Sequence, residues 1–465
     1  MMMRVLLIKP PVDIRMYTHL KHLAPENPPI GLAYIASVLE RDDFEVKILD
    51  LSTNRHDLSR LIKLVQDYSP SVIGFTSTTP LILTVYKIID SLKKNFPDIK
   101  YVIGGPHPTA LPEEGLEYAD FIVRGEGEET FLELANAIKN KQKTSSIKGI
   151  SFKHKKKCFH NPNRPLIKNL DEIPYPAWHL LDLKKYHYFG SKKASTANIF
   201  TSRGCPYTCS FCNKNIFGRT LRVRSNENIL GEIDLLVNTF GVKRINFSDD
   251  VFNMNKTKTV ALCKEITRRN YDLSLFPQNG VRVDSMDKEM LDSFWNAGFD
   301  GLVFGVESGD QRILDLNNKC ITLKKISHAF KISKNYGFSR WGLFLLGLPG
   351  ETKKSIMKTI NFSIKLNPDI AKFGVLVPYP GTKVYDIYKD RLKTTNWSKF
   401  TVSGKPIFEH ENMTSQELWD LYVYATRKFY FRPSKISYFL KTALLNPGNL
   451  PNYIKTGLGM LRMNK

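Results

Sequence analysis

The sequence predicts an α/β protein with a doubly wound, five-stranded parallel sheet, a partial (β/α)6 TIM-type barrel and a helical tail. Two observations lead to this fold class. Short apolar runs rich in β-branched residues alternate with amphipathic stretches through residues 1–140, and the alternation resumes with longer helices through residues 196–400. Strands that alternate with helices are typical of parallel sheets, because parallel strands need a crossover connection between them.

The first region contains five predicted strands, which are Val5–Ile8, Val46–Leu49, Val72–Thr76, Tyr101–Ile103 and Phe121–Val123. Amphipathic periodicity predicts helices between and after them, at Ile30–Glu40, Leu58–Gln66, Leu81–Lys93 and Glu129–Lys139. Ligands of doubly wound sheets bind beyond the carboxyl ends of the strands. The loops that follow these strands are therefore candidate binding loops.

Residues 141–195 are predicted to form a connector, in which the basic run Lys153–Lys157 makes the exposed turn of a small hairpin. The barrel occupies residues 196–400, and its predicted strands are Asn198–Ser202, Arg244–Phe247, Leu273–Gln278, Gly301–Phe304, Gly342–Leu346 and Lys372–Leu376. Predicted helices fill the gaps, for example Glu227–Asn238, Thr257–Arg269, Asp287–Ala297 and Leu323–Tyr336. Catalytic groups of such barrels gather at the carboxyl ends of the strands. Residues 401–465 form a basic helical tail.

Composition narrows the class of protein. The chain has 465 residues, six cysteines and a formal net charge of +23. So few cysteines argue against a disulfide scaffold, and no apolar run is long enough for a spanning helix, so we expect a cytoplasmic, reducing environment. The positive charge favours polyanions, anionic membrane surfaces or acidic substrates, or it reflects only a lysine-rich surface.

Three cysteines follow the first predicted barrel strand, in the segment Cys205-Pro-Tyr-Thr-Cys209-Ser-Phe-Cys212. This spacing places three thiolates on one loop, where they can hold a single [4Fe–4S] cluster and leave one iron open to an outside ligand. Zinc binding is the alternative, but it needs a fourth ligand. The later Cys263 and Cys320 have no paired spacing that would supply one.

The pattern C-x3-C-x2-C with an aromatic residue before the last cysteine resembles the radical S-adenosylmethionine (SAM) superfamily. The resemblance implies that the open iron binds the methionine part of SAM and that Phe211 packs beside the adenine. It also implies that Ser248, Asp249 and Asp250, after the second barrel strand, bind the SAM ammonium group. A surface pair of aspartates or a helix cap explains the same residues equally well.

Three later segments extend this resemblance. Glu307 and Ser308, after the fourth barrel strand, resemble the stretch that reaches the SAM ribose and carboxylate, and Arg282 is a further candidate for the carboxylate. Gly347, in the segment that follows the fifth strand, resembles the backbone motif that binds adenine. The implied mechanism is reductive cleavage of SAM to methionine and a 5′-deoxyadenosyl radical, which removes a hydrogen atom from the substrate.

A five-stranded α/β domain before the barrel is similar to the cobalamin-binding branch of this superfamily, which includes class B methyltransferases and the anaerobic magnesium-protoporphyrin cyclase. The resemblance rests on Lys9-Pro10-Pro11, on Gly104-Gly105-Pro106-His107 and on Gly125-Glu126-Gly127-Glu128. It implies that Gly104, Gly105, Pro106 and His107 contact cobalamin. The Asp-x-His-x-x-Gly motif of other cobalamin proteins is missing, and His56 and His107 are the only histidines near this edge. Some members keep the domain without cobalamin, so a cobalamin-free substrate or partner module remains an alternative.

The tail carries no acidic residue after Asp420, whereas eight lysines and arginines follow that position among aromatic and aliphatic residues. Such a segment fits an anionic membrane surface, and it fits equally a helical cap packed on the barrel. The other expected partners are a small-molecule or lipid-like substrate and an electron donor such as ferredoxin or flavodoxin. Nucleic acid is not expected.

Together these observations predict an enzyme that cleaves SAM at a [4Fe–4S] cluster and, with cobalamin, methylates or otherwise remodels an unactivated carbon. A non-catalytic iron–sulfur sensor is an alternative of another class, but it has no use for the SAM-binding loops. A methylthiotransferase is excluded, because it carries three more cysteines in an N-terminal domain and the first cysteine here is Cys158.

Overall fold

The computed structural model describes residues 2–12, 27–53, 58–187, 195–445, 448 and 450–463. Its first region is a sheet flanked by helices. The strands of this sheet are β1 (Arg4–Lys9), β2 (Glu45–Asp50), β3 (Val72–Thr76), β4 (Lys100–Gly104), β5 (Phe121–Val123), β6 (Ile150–His154) and β7 (Lys157–His160). The helices are α1 (Ile30–Glu40), α2 (Leu58–Tyr68), α3 (Ile82–Asn95), α4 (Pro106–Ala110), α5 (Pro112–Gly115) and α6 (Glu128–Lys139).

The strand order is β2-β1-β3-β4-β5-β6-β7, and the first five strands are parallel. The five predicted strands and the doubly wound order are thus confirmed. The hairpin β6–β7 adds two antiparallel strands to the edge at β5, with Lys155 and Lys156 at its exposed turn. Stacking of Phe152 on Phe159 across the hairpin and pairing with β5 fix this position, which the local sequence pattern does not show.

The second region is a curved array of six parallel strands. They are β8 (Thr196–Ile199), β11 (Arg244–Phe247), β12 (Ser274–Pro277), β13 (Gly301–Glu307), β14 (Ser339–Leu346) and β15 (Ile370–Val375), and a small ribbon of β9 (Ser202–Arg203) and β10 (Arg222–Val223) follows β8. Three strands form each of two ladders, and isolated bridges from Leu275 to Phe299 and from Val281 to Phe304 join the ladders. The predicted partial (β/α)6 barrel is confirmed.

Helices cover the outside of the barrel. They are α7 (Asn226–Asn238), α8 (Lys256–Arg269), α9 (Lys288–Ala297), α10 (Gln311–Leu316), α11 (Leu323–Ser333), α12 (Lys353–Leu366) and α13 (Lys383–Tyr388). Side chains alternate along each strand. In β11, Ile245 and Phe247 pack in the core beneath the helices, so Arg244 and Asn246 face the barrel lumen. The main hydrophobic core therefore lies between strands and helices and leaves the lumen for polar groups.

The first barrel strand ends earlier than predicted. The sequence favours one strand over Asn198–Ser202, but β8 stops at Ile199, and the chain turns before β9. The backbone amide and hydroxyl of Thr201 and the hydroxyl of Ser202 all donate to the Asp249 carboxylate. This carboxylate is 48 positions away in sequence, so no local pattern could show where the strand ends.

The tail consists of three helices, α14 (Ser415–Tyr430), α15 (Pro433–Leu445) and α16 (Leu450–Leu461). Helix α14 packs against β15 and α12, and the Tyr430 hydroxyl donates to the Ala371 carbonyl at 2.9 Å. Within the described residues, no helix has the length and apolar character needed to cross a bilayer.

Candidate active site

The three cysteines of the predicted cluster lie on one loop directly after β9. The loop is clamped from three other parts of the barrel. The Gly204 amide donates to Asp250 at 3.1 Å, the Ser210 hydroxyl donates to Asn317 at 2.6 Å, and the Val384 amide donates to the Ser210 carbonyl at 3.1 Å. The protein therefore fixes the loop independently of any bound group.

The thiols have the chemistry that an iron–sulfur cluster needs. Cys205, Cys209 and Cys212 are free cysteines, Cys205 is buried and the other two are partly accessible. A hydrogen bond from Cys212 and the nearby Lys319 ammonium together lower the pKa of Cys209 to about 6. Among the described residues, no three His, Cys, Asp or Glu side chains converge on a single metal ion. Three thiolates from one loop suit a cluster with one open iron.

Asp249 and Asp250 accept hydrogen bonds from the residues that lead into the cluster loop. Asp249 is buried and accepts hydrogen bonds from Thr201 and Ser202, and its burial raises its pKa. Asp250 accepts from the Gly204 amide and lies 3.9 Å from the Lys214 ammonium. Asp249 thus positions the strand end before the cluster loop, whereas contact of either carboxylate with the SAM ammonium stays a prediction.

Phe211 is part of the cysteine loop, whereas Ser248 follows β11 and Arg282 follows β12. The Ser248 hydroxyl accepts from Asn198 at 3.0 Å. The Arg282 guanidinium makes two hydrogen bonds of 2.8 Å to Asp284 and lies 3.5 Å from the centre of the Tyr207 ring. Asp284 neutralises the charge of Arg282 and holds its guanidinium in place. The guanidinium in turn packs on the Tyr207 ring and fixes this residue of the cluster loop. Contact of these residues with SAM stays a prediction.

Glu307 and Ser308 end β13 on the cluster side of the barrel. Glu307 has φ of 62° and accepts from Lys319 at 2.8 Å, and the Lys319 ammonium lies 5.8 Å from the centre of the Phe211 ring. The Ser308 hydroxyl contacts the Thr359 hydroxyl at 3.1 Å. Phe211 and Glu307 are thereby brought to one place through Lys319, which the sequence analysis did not single out.

Gly347 begins the turn after β14. Its amide donates to Glu351 at 2.7 Å, and the Leu348 amide donates to the same oxygen at 3.1 Å. Glu351 is fully buried, its other oxygen has no hydrogen-bond partner among the described residues, and burial raises its pKa to about 8. The predicted adenine-binding turn is held in shape by this buried carboxyl group.

A cavity of about 360 Å³ lies where the carboxyl edge of the first sheet meets the cluster loop. Gly104, Gly105 and Pro106 line it from the sheet, and Lys214 and Asp250 line it from the barrel. Gly105 has φ of 104°, and a Cβ atom there would lie 2.7 Å from the Ser77 carbonyl oxygen. Only glycine permits this close turn at the cavity wall.

His107 does not line this cavity. Its imidazole is fully buried, its Nδ1 lies 3.2 Å from the Thr79 hydroxyl, and its ring meets the Trp397 ring edge-on at 5.0 Å. Its Nε2 lies 3.5 Å from Glu114. These contacts give His107 a packing role between α4 and the barrel, and its predicted contact with cobalamin stays a prediction. His56 lies outside the described residues.

A buried network of ion pairs joins the two regions beside the cavity. Glu126 accepts from Arg203 at 2.9 Å and from Arg222 at 2.8 Å, and Glu128 accepts from Arg203 at 2.6 Å. The Arg203 guanidinium also lies 5.1 Å from the centre of the Tyr34 ring. The sequence analysis found the Gly125–Glu128 segment but missed both arginines. The sequence did contain a signal for this ion-pair network. Two acidic residues lie in the Gly125–Glu128 segment, and an arginine lies just before the cysteines.

Comparisons with known proteins agree with these two regions. The family model of the B12 binding domain matches residues 19–135, and that of the radical SAM superfamily matches residues 199–363. The chain is 34% identical over 437 residues to an uncharacterized methyltransferase of Pyrococcus horikoshii, covering 93% of each chain. It is 29% identical to the anaerobic magnesium-protoporphyrin IX monomethyl ester cyclase of Rubrivivax gelatinosus, covering 94% of this chain and 79% of that one.

Solved structures share the fold. The radical SAM methyltransferase TsrM from Kitasatospora setae, with cobalamin and a [4Fe–4S] cluster bound, aligns with a TM-score of 0.68 at 22% identity, over 82% of this chain and 74% of that one. The cobalamin-dependent radical SAM enzyme OxsB aligns with a TM-score of 0.73 at 18% identity, over 99% of this chain and 72% of that one.

The cofactors follow from the two domains and from the residues that fit them. The radical SAM match implies a [4Fe–4S] cluster and SAM, which the free thiols of the clamped loop and the carboxyl edge of the barrel would hold. The B12-binding match implies cobalamin, which the glycine-lined cavity would hold. The predicted combination of an iron–sulfur cluster, SAM and cobalamin is therefore confirmed. The chain belongs to the radical SAM superfamily, in the branch whose members carry a B12-binding domain before the barrel.

Proposed function

We propose that the protein transfers a methyl group from cobalamin to an unactivated carbon of a substrate held in the barrel lumen. The observation that carries this proposal is the shared cavity, whose walls come from Gly104 and Gly105 on one side and, on the other, from residues 213–218, which directly follow the last cysteine of the cluster loop. Bound together, the three cofactors supply radical formation and a transferable methyl group. A shared cavity lets both kinds of chemistry reach one substrate.

The chain's own residues shape and seal this cavity. Apolar side chains such as Leu7, Phe75 and Phe217 line it, so they exclude water from the space between the loops of the first sheet and those of the barrel. Lys214 and Asp250 bring one charge of each sign to the wall nearest the cysteines. The buried ion pairs of Arg203 hold the two walls at a fixed separation.

The first experiment measures cofactor content and product together. The protein is purified anaerobically from a cobalamin-supplied host and is then incubated with a reductant, cell extract and SAM that carries an isotopically labelled methyl group. We expect about four irons and one cobalamin per chain, S-adenosylhomocysteine beside 5′-deoxyadenosine, and a labelled product. Iron without cobalamin, even after reconstitution, would overturn the proposal and favour a cobalamin-free enzyme.

Oxidative ring closure is the second candidate. It is favoured by the cyclase of Rubrivivax gelatinosus, which is similar over almost the whole of this chain. In the same experiment, cobalamin and 5′-deoxyadenosine without S-adenosylhomocysteine or a labelled product would support it. A small electron-transfer protein such as ferredoxin or flavodoxin is the reductant we propose for either reaction.

We also propose that helices α15 and α16 contact an anionic membrane surface. Exposed aliphatic residues recur at four-residue spacing on both helices, and these are Ile436, Leu440 and Leu444 on α15 and Leu450, Ile454 and Leu458 on α16. Leu444 is 82% exposed. Four-residue spacing places each set along one face of its helix. These faces are not buried against the barrel, although Phe429 is.

The charge of the tail favours anionic lipid over a second copy of the protein. The exposed Lys441, Lys455 and Arg462 accompany the apolar faces, and residues 421–465 contain no Asp or Glu. Two such surfaces would repel each other, whereas an anionic bilayer attracts the cations and buries the aliphatic side chains.

Vesicle sedimentation tests this contact. We expect the protein to sediment with vesicles of phosphatidylcholine and phosphatidylglycerol, and more weakly with phosphatidylcholine alone. The double substitution Leu440→Asp and Leu444→Asp should abolish sedimentation, whereas Ile387→Asp, at an exposed position on α13, should leave it unchanged. Equal binding of both variants would overturn the proposal, as would a concentration-dependent dimer that dissociates in the double variant without any lipid binding.

A further inference from the structure

Lys372 lies in the middle of β15 and faces the barrel lumen. Its neighbours Ala371 and Phe373 are buried in the core beneath the helices. Because side chains alternate along a strand, Lys372 lies on the opposite, luminal face. The Tyr430 hydroxyl also contacts the Ala371 backbone from outside, so the tail covers the outer side of this strand. The ammonium therefore belongs to the interior of the barrel.

The wall around Lys372 is largely apolar. The register of the sheet pairs Lys372 with Leu343, and Leu343 in turn pairs with Gly305. Trp341, two residues before Leu343 on the same face, forms the next layer and contacts Phe276 edge-on at 5.7 Å. The Lys372 side chain remains accessible to water, yet the surrounding protein desolvates its ammonium and lowers its pKa.

Other cations of the barrel interior are neutralised by carboxylates of the chain. Arg244 pairs with Asp300 at 2.5 Å, and Lys319 pairs with Glu307 at 2.8 Å. Within the described residues, no carboxylate lies within ion-pair distance of Lys372. The lumen wall removes part of the hydration of this ammonium, and no ion pair of the chain offsets that loss. An anionic ligand that enters the lumen would offset it.

We propose that Lys372 binds an anionic group of the substrate, a carboxylate or a phosphate, while the apolar wall of Leu343 and Trp341 contacts the hydrocarbon part. The substrate is then an amphiphilic anion. Leu343 precedes the turn at Gly347 by four residues, so the anionic group lies deeper in the barrel than the strand ends that carry the cofactors. The rest of the substrate extends towards the cavity beside the cluster loop.

This inference rests on the proposed function, because that function places the reacting carbon beside the cavity. Binding of the anionic group can be measured separately. The probes are octanoate and octyl phosphate, which share an apolar chain and differ in the anion, and 1-octanol as their neutral analogue. Their affinities are measured on the reconstituted holoenzyme by equilibrium dialysis, for the wild type and for Lys372→Met, Lys372→Arg and Ile387→Met.

We expect Lys372→Met to lower the affinity for octanoate or octyl phosphate by about tenfold or more, because a charge-assisted hydrogen bond is lost. The affinity for 1-octanol and for SAM should stay within about twofold, which is the scatter expected at unrelated sites. Lys372→Arg should retain most of the anion affinity, and Ile387→Met should match the wild type. The anion that loses more affinity identifies the carboxylate or the phosphate as the preferred group.

Competitive amine labelling provides a readout that does not depend on any variant. In the wild-type holoenzyme, Lys372 should react with acetic anhydride at lower pH than the exposed Lys383, and octanoate or octyl phosphate should protect it. Equal affinity of Lys372→Met for all three probes would overturn the inference, as would absence of saturable anion binding to the wild type. A fall in SAM affinity alone would also overturn it and assign Lys372 to the cofactor. If the reconstituted protein bound the anions but contained no cobalamin, only the proposed methyl transfer would be refuted.

Discussion

The junction between the two regions and the lumen of the barrel both bury charged side chains, but they treat them differently. At the junction, Arg203 and Arg222 are almost fully buried, and each forms an ion pair with Glu126 or Glu128 through hydrogen bonds of 2.6–2.9 Å. Among the described residues, only the Nε atom of Arg222 in this network lacks a hydrogen-bond partner. Among the described residues, Lys372 in the lumen has no carboxylate partner, and one oxygen of Glu351 at the rim has no hydrogen-bond partner.

This difference separates charges that hold the fold from charges that are available to a ligand. Where each buried charge already contacts an opposite charge of the chain, no net charge is left for a ligand, and removing one partner leaves a buried charge unpaired. A group that is left partly unpaired carries a cost in the empty protein, and cofactor or substrate contacts can remove that cost. Three substitutions test the comparison.

The largest effect on stability is expected at the junction. Glu126→Gln should lower the free energy of unfolding by about 3–5 kcal/mol, because buried Arg222 would lose its carboxylate partner and Arg203 would keep only Glu128. Cobalamin content per chain should fall as well, since Gly125 and Gly127 on either side of Glu126 line the cavity. Denaturant titration and extracted cobalamin measure the two effects.

A surface pair supplies the matched control for this substitution. Glu45 pairs with Arg4 at 3.0 Å, and both side chains are about 40% exposed. Glu45→Gln should change the free energy of unfolding by less than about 1 kcal/mol. If both Glu→Gln variants lost the same stability, the network would not hold the two regions together.

An intermediate effect, and one that depends on pH, is expected at Glu351. Burial raises its pKa from 4.5 to about 8, so the folded protein holds a proton that the unfolded chain releases between these values. Stability contributed by this group is therefore present below pH 4.5 and is lost as pH rises to about 8, with a slope of at most about 1.4 kcal/mol per pH unit. Glu351→Gln keeps an acceptor for the Gly347 amide and should flatten this slope.

Denaturant titrations of the wild type and of Glu351→Gln at several pH values between 5 and about 8 measure this effect. Nearby Asp310 raises the pKa of Glu351 and Arg312 lowers it, so neither residue should be altered in the same experiment. Glu227→Gln, at an exposed position at the start of α7, is the control and should keep the wild-type slope. A parallel pH dependence for wild type and Glu351→Gln would show that Glu351 is ionised throughout.

The smallest effect on stability is expected at Asp249, a fully paired carboxylate inside the barrel. Asp249→Ala leaves the Thr201 and Ser202 donors without their acceptor and should cost about 1–3 kcal/mol. Iron content per chain should fall, because these residues hold the strand end before Cys205. The control Ser248→Ala should retain its iron. If Asp249→Ala kept full iron and lost only SAM affinity, Asp249 would serve SAM directly.

The sequence predicted the strands and helices well because their signals are local. The runs Val72–Thr76 and Arg244–Phe247 and the helix Ile30–Glu40 have the bounds that the pattern predicted. Roles that depend on partners far along the chain were harder to predict. The contacts of Asp249 and His107 with cofactors stay predictions, but their partners within the chain could not be predicted. Asp249 ends β8 through Thr201, and His107 packs against Trp397, almost 300 positions later in the sequence.

The sequence by itself determined the two parallel-stranded regions and the three-thiol loop after the first barrel strand, because periodicity and ligand spacing are properties of short segments. Only the tertiary structure decided which charges are paired. Glu126 meets Arg203 from 77 positions away, and the part of the barrel that the structure describes places no carboxylate beside Lys372. Charge pairing depends on distances of a few ångströms between distant segments, and no local pattern encodes those distances.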